Sequence, residues 1–323
     1  MRHIIFAMSD NHREVNDFVS RNRLEPFLVD ITQIRYLKGT CTQQIDGRIG
    51  TESKLDPAVD RILIRTLEDK CIYGHTIVLV DSGKGLSTEH VERASRLARA
   101  YYYECHTTWA GPGISPLPRP GDAPEERAPL PLDDALEPRA TSMDGYRRAL
   151  VIGDIHGCAE TLYHLLESSH PGRVNDPDTF YAFCGDYIDR GPRSGDVIRL
   201  LVDHFVGRPN CILLRGNHEK HLERYLRGEP EYNEMARQSL AQIASAGIGR
   251  EELRGLVEEL RDAAILDTGE GSILLTHGGL ARWPDALWRL PSSNLISGAG
   301  DRTDDVDSAW AALEGERRLQ AHG

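Results

Sequence analysis

The chain has 323 residues and a formal net charge of −12 at pH 7, which disfavours long nucleic acid as a partner because an acidic surface repels a phosphate backbone. With 40% hydrophobic residues, the length suffices for two cored domains. No run of about 18 apolar residues is present to span a membrane, the opening MRHIIFAMSDNHREVNDFVS lacks a signal-peptide pattern, and Cys41, Cys71, Cys105, Cys158, Cys184 and Cys211 form no CxxC pair, so free thiols in the cytoplasm are expected.

In chain order, HIIFAM, PFLVDI and TIVLVD are short apolar runs rich in β-branched residues and predict strands. DPAVDRILIRTLEDKC and STEHVERASRLARAYYYE carry helical periodicity, the latter with Ser87 or Thr88 as its N-cap. Strands alternating with helices predict a doubly wound parallel sheet over residues 1–109. The turn after the first strand reads MSDNHREV, with no glycine and no lysine, so it cannot form a phosphate-cradling loop. DSGKG at 81–85 lacks the upstream glycine of such a loop and reads as a polar turn.

Residues 110–143 are expected to form a proline-rich, extended linker. Eight of the 17 prolines fall within 110–141, and proline removes backbone donors and fixes φ.

The remaining stretch, 144–323, carries the chemistry. RALVIGDIHG, DTFYAFCGDYIDRG, NCILLRGNHE and GSILLTHGGL each read as a strand followed by a polar turn, the place where α/β sheets hold ligands. Taken singly each could be a turn or a helix cap, and Gly153, Gly157, Gly185, Gly191, Gly216, Gly278 and Gly279 could be ordinary turn glycines. Taken together, four strand ends deliver Asp, Asn and His, donors that suit Mn, Fe or Zn.

In order, these motifs resemble those of the calcineurin-like metallophosphoesterases, in the branch that includes Ser/Thr phosphatases and dinucleoside tetraphosphate hydrolases. The resemblance implies an α/β metallophosphoesterase sandwich and two divalent ions, with Mn2+ the first candidate and Fe or Zn compatible. It implies Asp154 and His156 on one ion, Asp186 bridging, and Asn217 and His277 on the other. His218 would protonate the leaving oxygen, Asp189 would orient its ring, and Arg190, with Arg215, would grip the phosphoryl oxygens. The order of the two halves, with VLVDSGKGLSTEHVERASRLA in the first, is similar to bacterial polynucleotide kinase-phosphatases, the first half standing as a kinase-like module without its phosphate loop.

Residues 222–266 are expected to form a helical insert, packing on the domain or shaping substrate choice. After His277 the resemblance implies a further arginine, for which Arg282, Arg289 and Arg302 are candidates, and a strand ending in a metal-binding histidine. VDSAWAALEGERRLQA instead predicts a helix, so the sandwich looks shortened at its C-terminus and His322 is expected to be a tail residue. The expected activity is hydrolysis of phosphate monoesters on a phosphoprotein or small metabolite. The alternatives are end-healing of phosphorylated nucleic acid, dinucleoside polyphosphate cleavage, or a metal-binding regulator with little catalysis.

Overall fold

The computed structural model describes residues 2–9, 11–38, 41–43, 49–51, 57–83, 85–108, 113–117, 129–169, 171–298 and 318–323. Two compact units emerge, Met1–Glu137 with Ala286–Ser292, and Pro138–Asp285 with Ser293–Gly323.

In the first unit, β1 (His3–Ala7) leads to α1 (His12–Arg21), whose first turn is capped by the Asn11 side chain. Next come β2 (Leu28–Asp30), α2 (Ile31–Leu37), and an antiparallel pair, β3 (Cys41–Gln43) and β4 (Ile49–Thr51). They are followed by α3 (Pro57–Ile72), β5 (Ile77–Val80), α4 (Thr88–Ala100), β6 (Glu104–Thr108), β7 (Ser115–Pro116) and α5 (Leu132–Leu136). The α4 cap is Ser87, which accepts from the His90 amide; a side-chain oxygen satisfies one of the donors a helix start leaves open.

The sheet order is β2-β5-β1-β6-β7, with the first four strands parallel. Side chains alternate between its faces. Ile4, Phe6, Ile77 and Leu79 enter one apolar cluster, and Ile5, Ala7, Val78 and Val80 enter another. A sheet buried on both faces needs continuous apolar strands, which is why HIIFAM and TIVLVD read as unbroken runs.

Three features depart from the sequence expectation. The helix over 87–104 stops at Ala100, and Glu104 opens a strand. Parts of the proline-rich segment are folded: Ile114 pairs with Leu130, and Leu132 and Leu136 join the first unit's core. The segment Ala286–Ser292 also belongs to this unit, anchored by fully buried Trp288, whose Nε1 donates to Asp133 at 2.8 Å.

The second unit contains β8 (Thr141–Ser142), β9 (Arg148–Ile152), α6 (Ala159–Ser169), β10 (Thr179–Phe183), α7 (Ser194–His204) and β11 (Cys211–Leu213). Then follow α8 (Lys220–Arg227), α9 (Glu234–Ser245), α10 (Arg250–Glu259), β12 (Ala263–Asp267) and β13 (Ser272–Thr276). The described chain closes with α11 (Ser292–Ser297) and β14 (Arg318–Ala321). Strands β11-β10-β9 form a parallel sheet, and β14-β13-β12-β8 a mixed one. Phe180, Ala182 and Ile212 of the first sheet share a core with Ala264, Leu266 and Leu275 of the second. This is the expected α/β sandwich.

The 222–266 segment is helical only to Glu259, because its last residues supply β12. The C-terminal stretch corrects the sequence reading more sharply. Residues 318–321 form a strand parallel to β13, where a helix is expected; the rest of that helix, 306–317, lies outside the described residues. Pairing with a core strand overrides the weak local helical pattern.

Candidate metal centre

Four strand ends of the second unit converge. Asp154 and His156 follow β9, Asp186 and Asp189 follow β10, Asn217 and His218 follow β11, and His277 follows β13. The loops are tightly wound. His156, Asp186, Asp189 and Arg190 all have positive φ, between 45° and 71°, a region costly for residues with a Cβ and one that recurs at functional sites.

Asp186 is the hub, 1% exposed. Its Oδ2 lies 3.4 Å from His156 Nε2, 3.4 Å from His277 Nε2 and 3.9 Å from His218 Nε2. Asp154 Oδ2 is 3.3 Å from His156 Nε2, and Asn217 Nδ2 is 3.4 Å from His277 Nε2. Two donor groups result, His156–Asp186–His218 and Asp154–Asp186–His277, with Asp186 common to both. That is the connectivity a bridging carboxylate requires.

The histidines are held from behind. His156 Nδ1 donates to the Ile188 carbonyl at 3.0 Å, and His277 Nδ1 to the Cys184 carbonyl at 2.9 Å. Each bond fixes the tautomer that leaves Nε2 with a lone pair facing Asp186. His156 Nε2 is buried and has no hydrogen-bond partner, an expensive arrangement unless a cation occupies the space. When the His277 ring is doubly protonated, burial still opposes ionisation of Asp186, but that ring and the His218 amide outweigh it and hold the carboxyl below its usual range. The donor set therefore fits divalent metal ions.

His218 is set by Asp189. Its Nδ1 donates to Asp189 Oδ2 at 2.7 Å, and this bond raises its pKa above the usual imidazole value. Asp189 in turn accepts from Ser239 Oγ at 2.7 Å through Oδ1, and its amide donates to Ser239 Oγ and Ser194 Oγ. Ser239 sits on α9, so the insert reaches the site through a specific side chain.

Glu219 is the second residue that sequence reasoning missed. It is 0% exposed, and its carboxylate accepts from the amides of Asp186, Tyr187 and Gly216. It thereby ties the β10 and β11 loops together. Burial and the neighbouring Asp186 charge push its pKa up to about 7. The GNHE motif quoted it, but only as a helix cap; nothing in the spacing signals Ser239, 50 residues beyond Asp189.

Arg190 is exposed beside the hub, as a phosphate-gripping residue needs to be. Arg215 is not available for that task. It is buried and paired with Asp262 and with Glu223, the latter at 2.7 Å, so its charge is consumed inside the fold. Arg282 is exposed, Arg289 stacks on Trp288 in the first unit, and Arg302 lies outside the described residues. His322 follows β14 directly, with Nδ1 3.1 Å from the Gly323 carbonyl. The residue brought to the centre is Gly323, whose amide donates to the His277 carbonyl and whose Cβ position would lie 2.7 Å from Asp154 Oδ1.

Comparisons with known proteins bear on the family of the chain. The family model described as calcineurin-like phosphoesterase matches residues 147–312, just over half of the chain. A bis(5'-nucleosyl)-tetraphosphatase PrpE [asymmetrical] from Halalkalibacterium halodurans is 33% identical over 139 residues, 40% of this chain and 56% of that protein. The chain thus spans about half the length of that relative. A crystal structure of a putative diadenosine tetraphosphatase is 22% identical, covers 46% of this chain and 58% of its own, and has a TM-score of 0.33. A protein serine/threonine phosphatase structure from Saccharomyces cerevisiae is 22% identical, covering 55% and 54%, with a TM-score of 0.29; scores this low carry no argument. The family match and the motif order agree: the chain belongs to the calcineurin-like phosphoesterase family.

Proposed function

We propose that the second unit hydrolyses phosphate monoesters, with Asp154, His156, Asp186, Asn217 and His277 holding two divalent cations. The observation that carries this reading is Asp186, buried and shared between two donor groups. When bound, such a pair of ions neutralises phosphoryl charge and activates water as the nucleophile. Arg190 binds the phosphoryl oxygens with a planar, permanently charged fork. His218, with Asp189 behind it, delivers a proton from Nε2 to the departing oxygen. That proton matters most for an alkoxide, the leaving group of a phosphoserine or a sugar phosphate.

His218 also completes one of the donor groups, so its role is set by experiment. As proton donor, His218→Asn should lose more activity on an alkyl phosphate than on an aryl phosphate, whose oxide leaves without help. As metal ligand, it would lose equally on both and release an ion.

A second reading, cleavage of dinucleoside polyphosphates, is favoured by the name of the 33% identical relative. A panel of phosphopeptide, 3′-phosphorylated oligonucleotide and dinucleoside tetraphosphate, assayed with Mn2+, separates the readings. Highest kcat/KM on the phosphopeptide or a small phosphomonoester supports the first; highest on the tetraphosphate replaces it with the second.

A further inference from the structure

The first unit holds a cluster that the phosphoesterase chemistry does not use. His3 on β1 and Glu104 and His106 on β6 share one face of the sheet. The parallel register pairs His3 with Glu104 and Ile5 with His106, and residues two apart on a strand point the same way. His3 Nδ1 is 3.2 Å from His106 Nε2 and 3.5 Å from Glu104 Oε2, while His106 Nε2 is 3.9 Å from the same carboxylate oxygen. Both imidazoles are buried, and the Glu104 carboxylate is 72% exposed.

From these distances we propose that His3, Glu104 and His106 form a zinc-class metal site. Around a tetrahedral zinc ion, donors at 2.0–2.1 Å are separated by about 3.3 Å. Two of the three separations already bracket that value, and the third closes by a small turn of the exposed Glu104. A hydrogen bond between the rings links only the two imidazoles and uses one proton. A dication satisfies all three donors together. Two imidazoles and one carboxylate form a donor set known for zinc, with solvent in the fourth position.

The site lies at the N-terminal ends of the parallel strands, opposite the carboxyl ends where such sheets place ligands and substrates. An ion there would brace β1 against β6.

The test uses the full chain, stripped with chelator and titrated with Zn2+ and with Co2+ as a spectroscopic probe, comparing wild type with Glu104→Gln and His106→Asn. Bound metal is counted after dialysis, thermal unfolding is followed with and without Zn2+, and Mn2+-dependent turnover is recorded. The proposal expects each variant to hold one fewer tightly bound equivalent of Zn2+. It also expects loss of an intense tetrahedral Co2+ absorption and an unchanged Mn2+-dependent rate. Glu104→Gln alters an exposed side chain and so guards against a folding defect in His106→Asn. Unchanged stoichiometry and Co2+ spectrum in Glu104→Gln and in folded His106→Asn would overturn it, leaving a hydrogen-bonded histidine pair.

Discussion

Ser239→Ala tests whether the insert supports the chemistry. The substitution deletes one hydroxyl from a helix and leaves the Asp189 amide with its second acceptor, Ser194 Oγ at 3.2 Å, so the fold should survive. What disappears is the 2.7 Å bond from Ser239 Oγ to Asp189 Oδ1. A hydrogen bond to a charged group is worth about 1.5–3 kcal/mol. The 2.7 Å contact of Asp189 Oδ2 to His218 remains, so only part of this reaches the proton donor. If about half does, the barrier rises by about 0.75–1.5 kcal/mol, a roughly 4–13-fold fall in kcat. The fall should appear on an alkyl phosphate with KM little changed and be much smaller on p-nitrophenyl phosphate. Steady-state kinetics on both esters decides the matter. An unchanged alkyl rate, or an equal fall on both, refutes a positioning role for Ser239.

Two further predictions follow from the same contacts. Gly216→Ala should abolish activity and lower Tm, since its Cβ would lie 2.2 Å from Asp186 Oδ1 and 2.3 Å from the Asp186 amide, whereas Gly153→Ala, with nothing within 4 Å and no positive φ, should fold normally; comparable Tm losses in both would refute the distinction. On alkyl substrates, kcat should fall as pH rises through the His218 pKa, because the donor must be protonated and the hydrogen bond to Asp189 raises that pKa. Asp189→Asn should move this falling limb to lower pH, which a kcat–pH profile would show.

Much of the centre was legible because its residues sit at strand ends with local signatures. Asp154, His156, Asp186, Asn217, His218 and His277 are brought together, although the two donor groups join Asp154 to His277 and His156 to His218 where the motifs implied Asp154 with His156. Arg215 misled because RGNHE places it next to the site in sequence, while Asp262, distant in sequence and near in space, and Glu223, on the following helix, claim its charge. Ser239 and Glu219 act through the geometry of their oxygens, and residue type alone does not encode that. The strand at 318–321 was hidden for a related reason: RLQA is only four residues long, too short for its alternation to register, and its conformation comes from pairing with the edge of β13. Trp288 shows the limit of reading domains along a chain, since a stretch far beyond the proline-rich segment returns to the first unit.

In the proposed centre Asp186, common to both donor groups, joins two metal ions. Electron paramagnetic resonance of the chain loaded with two equivalents of Mn2+ tests it most directly. An exchange-coupled dinuclear signal is expected in the wild type and is lost in Asp186→Asn. Two uncoupled Mn2+ signals in the wild type, or a coupled signal that survives Asp186→Asn, would contradict it.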